Sequence, residues 1–375
     1  MRFLRAAAED HKFATGETFP SEQPDKLCLT LRQPVGVVAG ISPWNFPLLL
    51  SMKKVAHALI MGNTMVLKPA EETPVIGLKI AELFAAVGLP PGVLNVVTGR
   101  GEIVGDALVS HPLTRVIAFT GSSATGRVIA SKAGGLLKRV VLELGGKDPV
   151  LVLRDADIDY AVNAITFAAF MHQGRICMSA ERIIVEEAIA DEFTQKLTAK
   201  ARTLPMGDPQ AHTNIIGPMI HKDQLDIVDA HVKDAIARGA QLGCGGQRHD
   251  PYYPATVLTG VTADMRIFRE ETFGPVAPIT VVPDVDAAIA AANDCIYGLS
   301  SGVLTNDLQK AIYVAERLES GMVHLNDACV HDECDAPFGG VKESGFGREG
   351  DRASVEAMTE VKWITIQKGQ RHFPF

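Results

Sequence analysis

The chain has 375 residues, of which 47% are hydrophobic and 21% are charged, and its formal net charge is −8. This length corresponds to roughly two and a half average domains, and the composition supports a large apolar core, so a single small module and a disordered chain are both excluded. The acidic balance, with no long basic run, argues against a nucleic-acid partner or an anionic membrane surface.

Strand-like and helical segments alternate along the chain. In the first part, strands are predicted at 35–38, 64–67, 93–97 and 116–119, with helices at 52–61, 75–87 and 102–109. A second cycle follows, with strands predicted at 150–153, 182–185 and 279–282, and helices at 158–172, 188–202, 221–239, 285–293 and 308–318. This rhythm predicts an α/β fold in which helices cover a parallel sheet of the nucleotide-binding type.

No segment reads as a membrane span or a secretory signal. The longest uncharged run, residues 33–52, is interrupted by prolines, and the charged residues 1–15 have no apolar core. The six cysteines are too few and too scattered for a disulfide scaffold, which indicates a reducing compartment. We therefore expect a cytoplasmic protein.

The segment from Gly121 to Val128 nearly matches the phosphate loop of ATPases. That motif requires Lys where Arg127 stands and Ser or Thr where Val128 stands, since these groups contact phosphate and Mg²⁺. The two differences argue against an ATPase. A glycine loop that opens a helix can still bind a phosphate through its N–H groups.

A second cluster could suggest a metal. His324, Cys329, His331 and Cys334 fall within eleven residues, as in some zinc sites. No CxxC pair is present, so we favour a loop that happens to carry these residues and predict no metal.

Three other positions suggest covalent chemistry. Cys177 lies in a polar, glycine-rich segment after an apolar helix, which suits a reactive thiol, although a buried structural cysteine is the usual case. Glu143 stands before two glycines, and on its own it would be expected at the surface. Asn45, held between aromatic residues and two prolines, is a rigid amide donor that suits an oxyanion hole.

Taken in order, these segments resemble the signature blocks of the aldehyde dehydrogenase superfamily over essentially the whole chain. The spacing of 34 residues from Glu143 to Cys177 also agrees with that family. The matching blocks are Pro43–Pro47, Lys68–Glu71, Phe119–Ser122, Glu143–Gly146, the segment around Cys177, Glu271–Pro275 and Pro337–Gly345.

The resemblance implies a mechanism. Cys177 matches the nucleophile that attacks the aldehyde carbon, and Asn45 with the N–H of Cys177 would stabilise the oxyanion. Loss of hydride to a nicotinamide would leave a thioester. Glu143 matches the general base that activates the water for hydrolysis to the acid.

The resemblance also implies a cofactor site. Lys68 and Glu71 match residues that hold the adenine ribose, and Ser122 matches a pyrophosphate contact at a helix N-terminus. Since the carboxylate of Glu71 would repel a 2′-phosphate, we predict NAD rather than NADP. The other matches around the cofactor are Trp44, Thr120, Gly121, Leu144, Glu271 and Phe273.

The amino-acid sequences of the blocks are most similar to those of bacterial enzymes that oxidise benzaldehyde, salicylaldehyde or vanillin. Phe46, Ile176 and Phe338 match tunnel positions, where the phenylalanines would stack on an aromatic ring. Lys53 matches another tunnel position and could meet a phenolic oxygen or a carboxylate, or it could lie on a solvated helix face. Succinate semialdehyde is therefore the alternative substrate.

The chain departs from the family pattern in two places. Arg175 replaces a Gln and His172 an Asn; Arg175 could lower the pKa of Cys177 or point outward. Before the block at Val35, only a helix over 1–12 and the stretch 16–34 take the place of a longer N-terminal part. We therefore expect a truncated cofactor lobe. Two alternatives to aldehyde oxidation follow: an inactive binding or assembly protein, or a cysteine esterase.

The resemblance implies three parts. A cofactor-binding domain is predicted at 1–15 and 35–145, a catalytic domain at 146–357, and a strand-like arm at 16–34 and 358–375. Because this arm pairs across subunits in the family, a homodimer or homotetramer is expected.

Overall fold

The computed structural model describes residues 2–375; Met1, at which the predicted cofactor-binding domain starts, lies outside them. The strands are β1 (Thr18–Phe19), β2 (Lys26–Pro34), β3 (Val37–Ile41), β4 (Thr64–Lys68), β5 (Leu94–Val96), β6 (Thr114–Thr120), β7 (Arg139–Glu143), β8 (Asp148–Val152), β9 (Ala180–Glu186), β10 (Gln241–Cys244), β11 (Thr256–Thr259), β12 (Val276–Val282), β13 (Tyr297–Gly298), β14 (Ser300–Leu304), β15 (Met322–Leu325), β16 (Val341–Lys342), β17 (Gly345–Phe346) and β18 (Thr359–Gln367).

The α-helices are α1 (Arg2–Asp10), α2 (Pro47–Ile60), α3 (Pro74–Ala86), α4 (Asp106–Ser110), α5 (Ser123–Gly135), α6 (Ile158–Phe170), α7 (Glu187–Arg202), α8 (Lys222–Ala237), α9 (Arg266–Arg269), α10 (Val285–Asn293), α11 (Leu308–Ala315) and α12 (Asp351–Ala357). A 3₁₀ turn at His11–Phe13 follows α1, and a π-helical turn at Gly101–Gly105 precedes α4. Within residues 2–375, no helix is both long and apolar enough to cross a membrane.

The chain folds into two compact units. The first contains the residues up to Glu143 together with Glu333–Phe338 and Phe346–Phe375. The second contains Leu144–Asp332 and Gly339–Gly345. The functional division into a cofactor domain, a catalytic domain and an arm stays a prediction.

The first unit is built on five parallel strands in the order β7-β6-β3-β4-β5. Apolar residues of these strands, among them Val38, Met65, Leu67 and Val116, form its core with α2 and α3, as the predicted alternation of strands and helices requires. The strands end nearly level, because Ile41 pairs with Lys68 and Thr120 pairs with Glu143. Four carboxyl ends therefore meet at one edge, which is where α/β sheets bind ligands.

A separate antiparallel sheet in the same unit has the order β1-β2-β18. The register runs from Pro34 opposite Thr359 to Lys26 opposite Gln367. The sequence predicted a strand-like arm at 16–34 and 358–375, and the pairing places its two long strands at Lys26–Pro34 and Thr359–Gln367. Several of its apolar side chains are exposed: Phe19, Leu31, Val361, Trp363 and Ile366.

The second unit has a seven-stranded sheet in the order β10-β11-β12-β9-β8-β14-β15. All neighbours are parallel except β10 and β11. Helices α6 and α7 pack on it through a fully apolar core. The pairing of Asp148 with Ala180 brings the amino ends of β8 and β9 to the same level.

The α/β fold class predicted from the sequence is confirmed. The prediction missed strands β11, β14 and β15, and it placed the ends of some helices differently. Helix α2 begins at Pro47 rather than at residue 52, since proline suits the first turn of a helix, where its missing N–H is not needed. Helix α6 stops at Phe170, two residues earlier than predicted, because His172 and Gln173 adopt left-handed backbone angles.

Candidate active site

The predicted amide donor Asn45 lies in the loop that joins β3 to α2. Its residue is 7% exposed, and Pro47 starts the helix directly after Phe46. The loop is anchored from within, since the hydroxyl of Ser51 on α2 donates to Ser42 at 2.8 Å. Two prolines and this hydrogen bond restrict the backbone around Asn45.

Residues of the first unit enclose a cavity of about 800 Å³ at the carboxyl ends of the parallel strands. The loop after β3, the end of β4, the π-helical turn and the start of α5 contribute to its wall. Six of the predicted cofactor residues line it: Trp44, Lys68, Glu71, Thr120, Gly121 and Ser122. The other three, Leu144, Glu271 and Phe273, belong to the second unit.

The donors and acceptors of this cavity fit a dinucleotide. Ser122 caps α5 by accepting the N–H of Thr125 at 3.3 Å, so the positive end of a 13-residue helix opens here. Lys68 is 4% exposed, and the carboxylate of Glu71 accepts the N–H of Gly101 at 2.6 Å. A phosphate-binding helix end and a carboxylate for ribose hydroxyls therefore stand in one cavity.

Glu143 ends β7 and is 2% exposed, so the expectation that it lies at the surface is wrong. Neither carboxylate oxygen has a hydrogen-bond partner within residues 2–375. Burial raises the pKa of Glu143 well above its ordinary value, and the nearby Glu349 raises it further, while Lys54 and Lys53 act in the opposite direction. A carboxylate with a raised pKa suits general-base catalysis near neutral pH.

Sequence reasoning missed the charged pair beside Glu143. The ammonium of Lys54 donates to Glu349 and to Thr120, both at 2.6 Å, and the side chain of Lys54 is fully buried. Two successive lysines on the apolar helix α2 were the available signal, because lysine is almost never fully buried unless it is paired.

Lys53 is 3% exposed, which excludes the solvated helix face that was its alternative placement. Its ammonium lies 4.0 Å from the ring centre of Phe338 and 5.0 Å from that of Phe3. These distances are within cation–π range. The Lys53 ammonium thus faces two aromatic rings. Phe46 is half-buried in the loop before α2.

Cys177 lies in the second unit, in a tight turn just before β9. The N–H of Ser179 donates to the carbonyl of Ile176 at 2.8 Å, and the Ser179 hydroxyl accepts the N–H of Ile176 at 3.3 Å. Ile176 is 3% exposed, whereas Cys177 is only half-buried. The predicted reactive thiol thus retains access while its neighbours are packed.

The glycines of the Glu143–Gly146 block have a structural explanation in the second unit. A Cβ atom on Gly146 would lie 2.3 Å from the carbonyl oxygen of Cys177, and one on Gly145 would lie 2.6 Å from a Glu271 carboxylate oxygen. The N–H of Gly146 donates to Glu271 at 2.9 Å. Any larger residue would displace the backbone of Cys177 or the side chain of Glu271.

Glu271 precedes β12 and is half-buried. Burial, followed by repulsion from Glu181, raises the pKa of Glu271 to about 8. Glu181 also accepts the N–H of Phe273 at 2.6 Å, which holds that residue at a left-handed φ of 51°. Backbone N–H groups that donate to carboxylates thus hold Glu271 and Phe273, two of the residues predicted on the nicotinamide side.

Of the two sequence departures near Cys177, Arg175 is buried and His172 is half-buried. Arg175 is 8% exposed, so it does not point outward, and burial lowers its pKa to about 10, which leaves it charged at neutral pH.

In the cluster considered for zinc, the ring centres of His324 and His331 lie 5.5 Å apart. Across residues 2–375, no group of three or more His, Cys, Asp or Glu side chains could hold a metal ion.

The first unit has a parallel sheet whose carboxyl ends border a cavity with a helix N-terminus and a carboxylate, which defines the class of nucleotide-binding α/β proteins. Residues 1–364 match the model of the aldehyde dehydrogenase family, and the chain belongs to that family. It is an oxidoreductase that converts aldehydes to acids, and NAD or NADP is the oxidant in this family.

Three relatives illustrate the similarity. The chain is 42% identical to vanillin dehydrogenase of Pseudomonas fluorescens, over 99% of this chain and 78% of the relative. It is 44% identical to an NAD⁺ benzaldehyde dehydrogenase of Pseudomonas putida, over 99% of this chain and 77% of the relative. The solved salicylaldehyde dehydrogenase of Pseudomonas putida G7, complexed with salicylaldehyde, superposes with a TM-score of 0.96 at 43% identity, over 100% and 78% of the two chains.

These findings confirm the predicted family, its similarity to enzymes of aromatic aldehydes, and the predicted enzyme class. They do not favour the alternatives of a cysteine esterase or an inactive remnant. The individual roles of Cys177, Glu143, Asn45 and the binding residues stay predictions.

Proposed function

We propose that this enzyme oxidises an aromatic aldehyde to its carboxylic acid with NAD. The observation that carries the proposal is the aromatic set around Lys53, whose ammonium is within 4.0 Å of the Phe338 ring centre and 5.0 Å of the Phe3 ring centre. Flat apolar side chains favour a ring-bearing substrate. Relatives that act on benzaldehyde, salicylaldehyde and vanillin support the same choice.

In the proposed reaction, the thiolate of Cys177 attacks the aldehyde carbon and forms a thiohemiacetal. The amide of Asn45 and the N–H of Cys177 donate to the oxyanion, which stabilises charge as it develops. Nicotinamide, when bound, supplies the acceptor for the hydride that this carbon loses, and a thioester remains on the sulfur. The two bonds to sulfur and to oxygen keep the carbon in place for the second step.

Glu143 performs the second step as general base. It takes a proton from water, whose oxygen attacks the thioester carbon, and the acid leaves as the Cys177 thiolate is restored. Because burial raises its pKa, Glu143 is a stronger base than an exposed carboxylate, so it accepts the proton more readily near neutral pH.

NAD is preferred over NADP in this proposal because of Glu71. Its half-exposed carboxylate lines the cavity of the first unit, where it would accept hydrogen bonds from ribose hydroxyls and repel a 2′-phosphate. Lys68 would hold the same ribose, and Ser122 at the start of α5 would hold the pyrophosphate. On the nicotinamide side we assign Trp44, Thr120, Gly121, Leu144, Glu271 and Phe273.

The β1-β2-β18 sheet is assigned to assembly into a homodimer or homotetramer. It exposes Trp363 at 65% and Val361 at 57%, apolar surface that a second copy would bury. A cytoplasmic location is proposed because the six cysteines are too few and too scattered in the sequence for a disulfide scaffold, which suits a reducing compartment.

The test follows NADH absorbance with the purified chain and benzaldehyde, salicylaldehyde, vanillin or succinate semialdehyde. Fastest turnover with an aromatic aldehyde and NAD is the expected result. The Cys177→Ala variant should lose at least about 10³-fold in rate, because it removes the sulfur that carries the proposed thioester. Higher catalytic efficiency with succinate semialdehyde would replace the proposed substrate, and clear NADP preference would overturn the cofactor assignment.

Succinate semialdehyde is retained as the second substrate because the buried ammonium of Lys53 would attract a carboxylate. A Lys53→Met variant keeps the volume and removes the charge. Because Lys53 also lowers the pKa of Glu143, part of the loss should be shared by all substrates, and benzaldehyde, which carries no acidic group, measures that part as the matched control. We expect catalytic efficiency with salicylaldehyde or succinate semialdehyde, which carry an acidic group, to fall about tenfold further than with benzaldehyde. Equal losses with all three would exclude a charge-recognition role.

A further inference from the structure

The segment just before Cys177 has an unusual backbone. His172 (φ 52°, ψ 36°) and Gln173 (φ 57°, ψ 31°) are both left-handed, and Gly174 follows at φ 66°. Residues other than glycine avoid the left-handed region because their Cβ atom crowds the following backbone carbonyl oxygen. Two strained non-glycine residues in succession require surrounding contacts that hold them.

Arg175 supplies such contacts from its buried position. Its Nη2 donates to the side-chain oxygen of Gln173, its Nε donates to the carbonyl of His172 at 3.3 Å, and its own backbone N–H donates to that carbonyl at 3.2 Å. The side chain therefore folds back over both left-handed residues. The planar guanidinium fork allows one side chain to reach two acceptors with fixed geometry.

The turn is also held from its other side. The amide of Gln173 donates to the carbonyl of Ile215 at 3.3 Å, in the loop after α7. Gly174 is packed against neighbouring backbone, since a Cβ there would lie 2.2 Å from the carbonyl oxygen of Gly274. Gln173 thus connects Arg175 to a second loop of the same unit.

Immediately downstream, the turn of residues 176–179 presents the thiol. Beyond its internal hydrogen bonds, the buried Cys329 thiol donates to the carbonyl of Met178 at 3.1 Å. Residues 178 and 179 are therefore held by their own hydrogen bonds. On the amino-terminal side of Cys177, the backbone position depends on the strained turn that Arg175 holds.

We propose that Arg175 is a positioning residue: its guanidinium locks the left-handed turn of residues 172–174 and so fixes the place from which Cys177 attacks. This inference rests on the proposed role of Cys177 as the nucleophile. The buried charge is required for the fork of hydrogen bonds and not for its field at the thiol. Displacing a nucleophile by about 1 Å is enough to lower a rate by up to 100-fold.

The test compares Arg175→Met, which removes every donor, with Arg175→Lys, which keeps a charge but loses the fork. Both variants should lower kcat about 10- to 100-fold, while KM for NAD stays within about twofold of the parent value. Amide hydrogen exchange at residues 172–177 should accelerate in both variants, and exchange in α8 should not change. The pH midpoint of Cys177 alkylation by iodoacetamide should stay in place.

Each contrary result is informative. Wild-type kcat in Arg175→Lys, or an alkylation midpoint that shifts in Arg175→Met alone, would show that the charge acts on the thiol and would overturn the proposal. Unchanged kcat in Arg175→Met would also overturn it. If Arg175→Met does not fold, Gln173→Ala removes the acceptor of the same hydrogen bond and should give the same kcat loss. Hydrogen exchange does not depend on turnover, so it tests the locked turn even if the proposed oxidation fails.

Discussion

Glu143 and Cys177 belong to different units and are prepared for chemistry in different ways. Glu143 lies at the carboxyl end of a parallel strand, and side chains tune it, since burial and Glu349 raise its pKa while Lys53 and Lys54 lower it. Cys177 lies at the amino end of a strand, in a position set by backbone turns. Substitutions near Glu143 should therefore shift pH profiles, and substitutions near Cys177 should lower rates without such shifts.

The largest effect should come from the backbone beside Cys177. Gly174→Ala places a Cβ 2.2 Å from the carbonyl oxygen of Gly274 at a left-handed φ of 66°, so it must displace backbone. We expect a loss of more than about 4 kcal/mol in unfolding free energy, measured by denaturant titration. Gly260→Ala is the matched control, because its φ is 67° with nothing within 4 Å, and it should cost only about 1–2 kcal/mol. Equal losses would mean that packing at Gly174 is unimportant.

The next effect isolates the base. Glu143→Gln removes the proton acceptor with little change in shape, and it should lower steady-state turnover about 10²- to 10⁴-fold. Stopped-flow absorbance should still show a rapid first turnover of NADH, since attack by Cys177 and hydride loss precede hydrolysis. Loss of that first turnover would place Glu143 in the earlier step.

The charged pair beside Glu143 should shift the acid limb of the kcat profile in opposite directions. Glu143 must be deprotonated to act, so activity falls as pH drops through its pKa. Lys54→Met removes a charge that lowers this pKa and moves the limb to higher pH, whereas Glu349→Gln removes a charge that raises it and moves the limb to lower pH. Lys54→Met should also destabilise the fold by about 3–5 kcal/mol, because it leaves Glu349 buried without its cation.

Shifts in the same direction for both variants would contradict this account of Glu143. Arg175→Met provides the comparison from the other unit, where no shift is expected.

The smallest effect concerns the cofactor. Glu71→Gln removes the negative charge that would repel a 2′-phosphate but keeps a hydrogen-bond acceptor for the N–H of Gly101. The ratio of kcat/KM for NAD to that for NADP should fall about tenfold, mainly through improved NADP use. An unchanged ratio would assign the preference to other residues of the cavity.

Much of this protein could be predicted from local patterns. The alternation of apolar strands and helices predicted the α/β class, because burial on both faces of a parallel sheet requires it. Short motifs predicted the family and a set of site residues that line one cavity in the first unit. The expectation of Glu143 at the surface was wrong, since nothing adjacent in the chain indicates that its side chain is buried or that Glu349 and Lys54 lie near enough to shift its pKa.

The sequence by itself determined the periodicity of the elements, the glycines that permit close backbone approach, and the residue types available for covalent chemistry. Only the tertiary structure decided the pairing of β2 with β18 more than 300 residues apart, the contact of Lys54 with Glu349, and the fold of Arg175 over its left-handed turn. These features depend on long-range packing and desolvation, which bring together groups whose separation along the chain carries no signal.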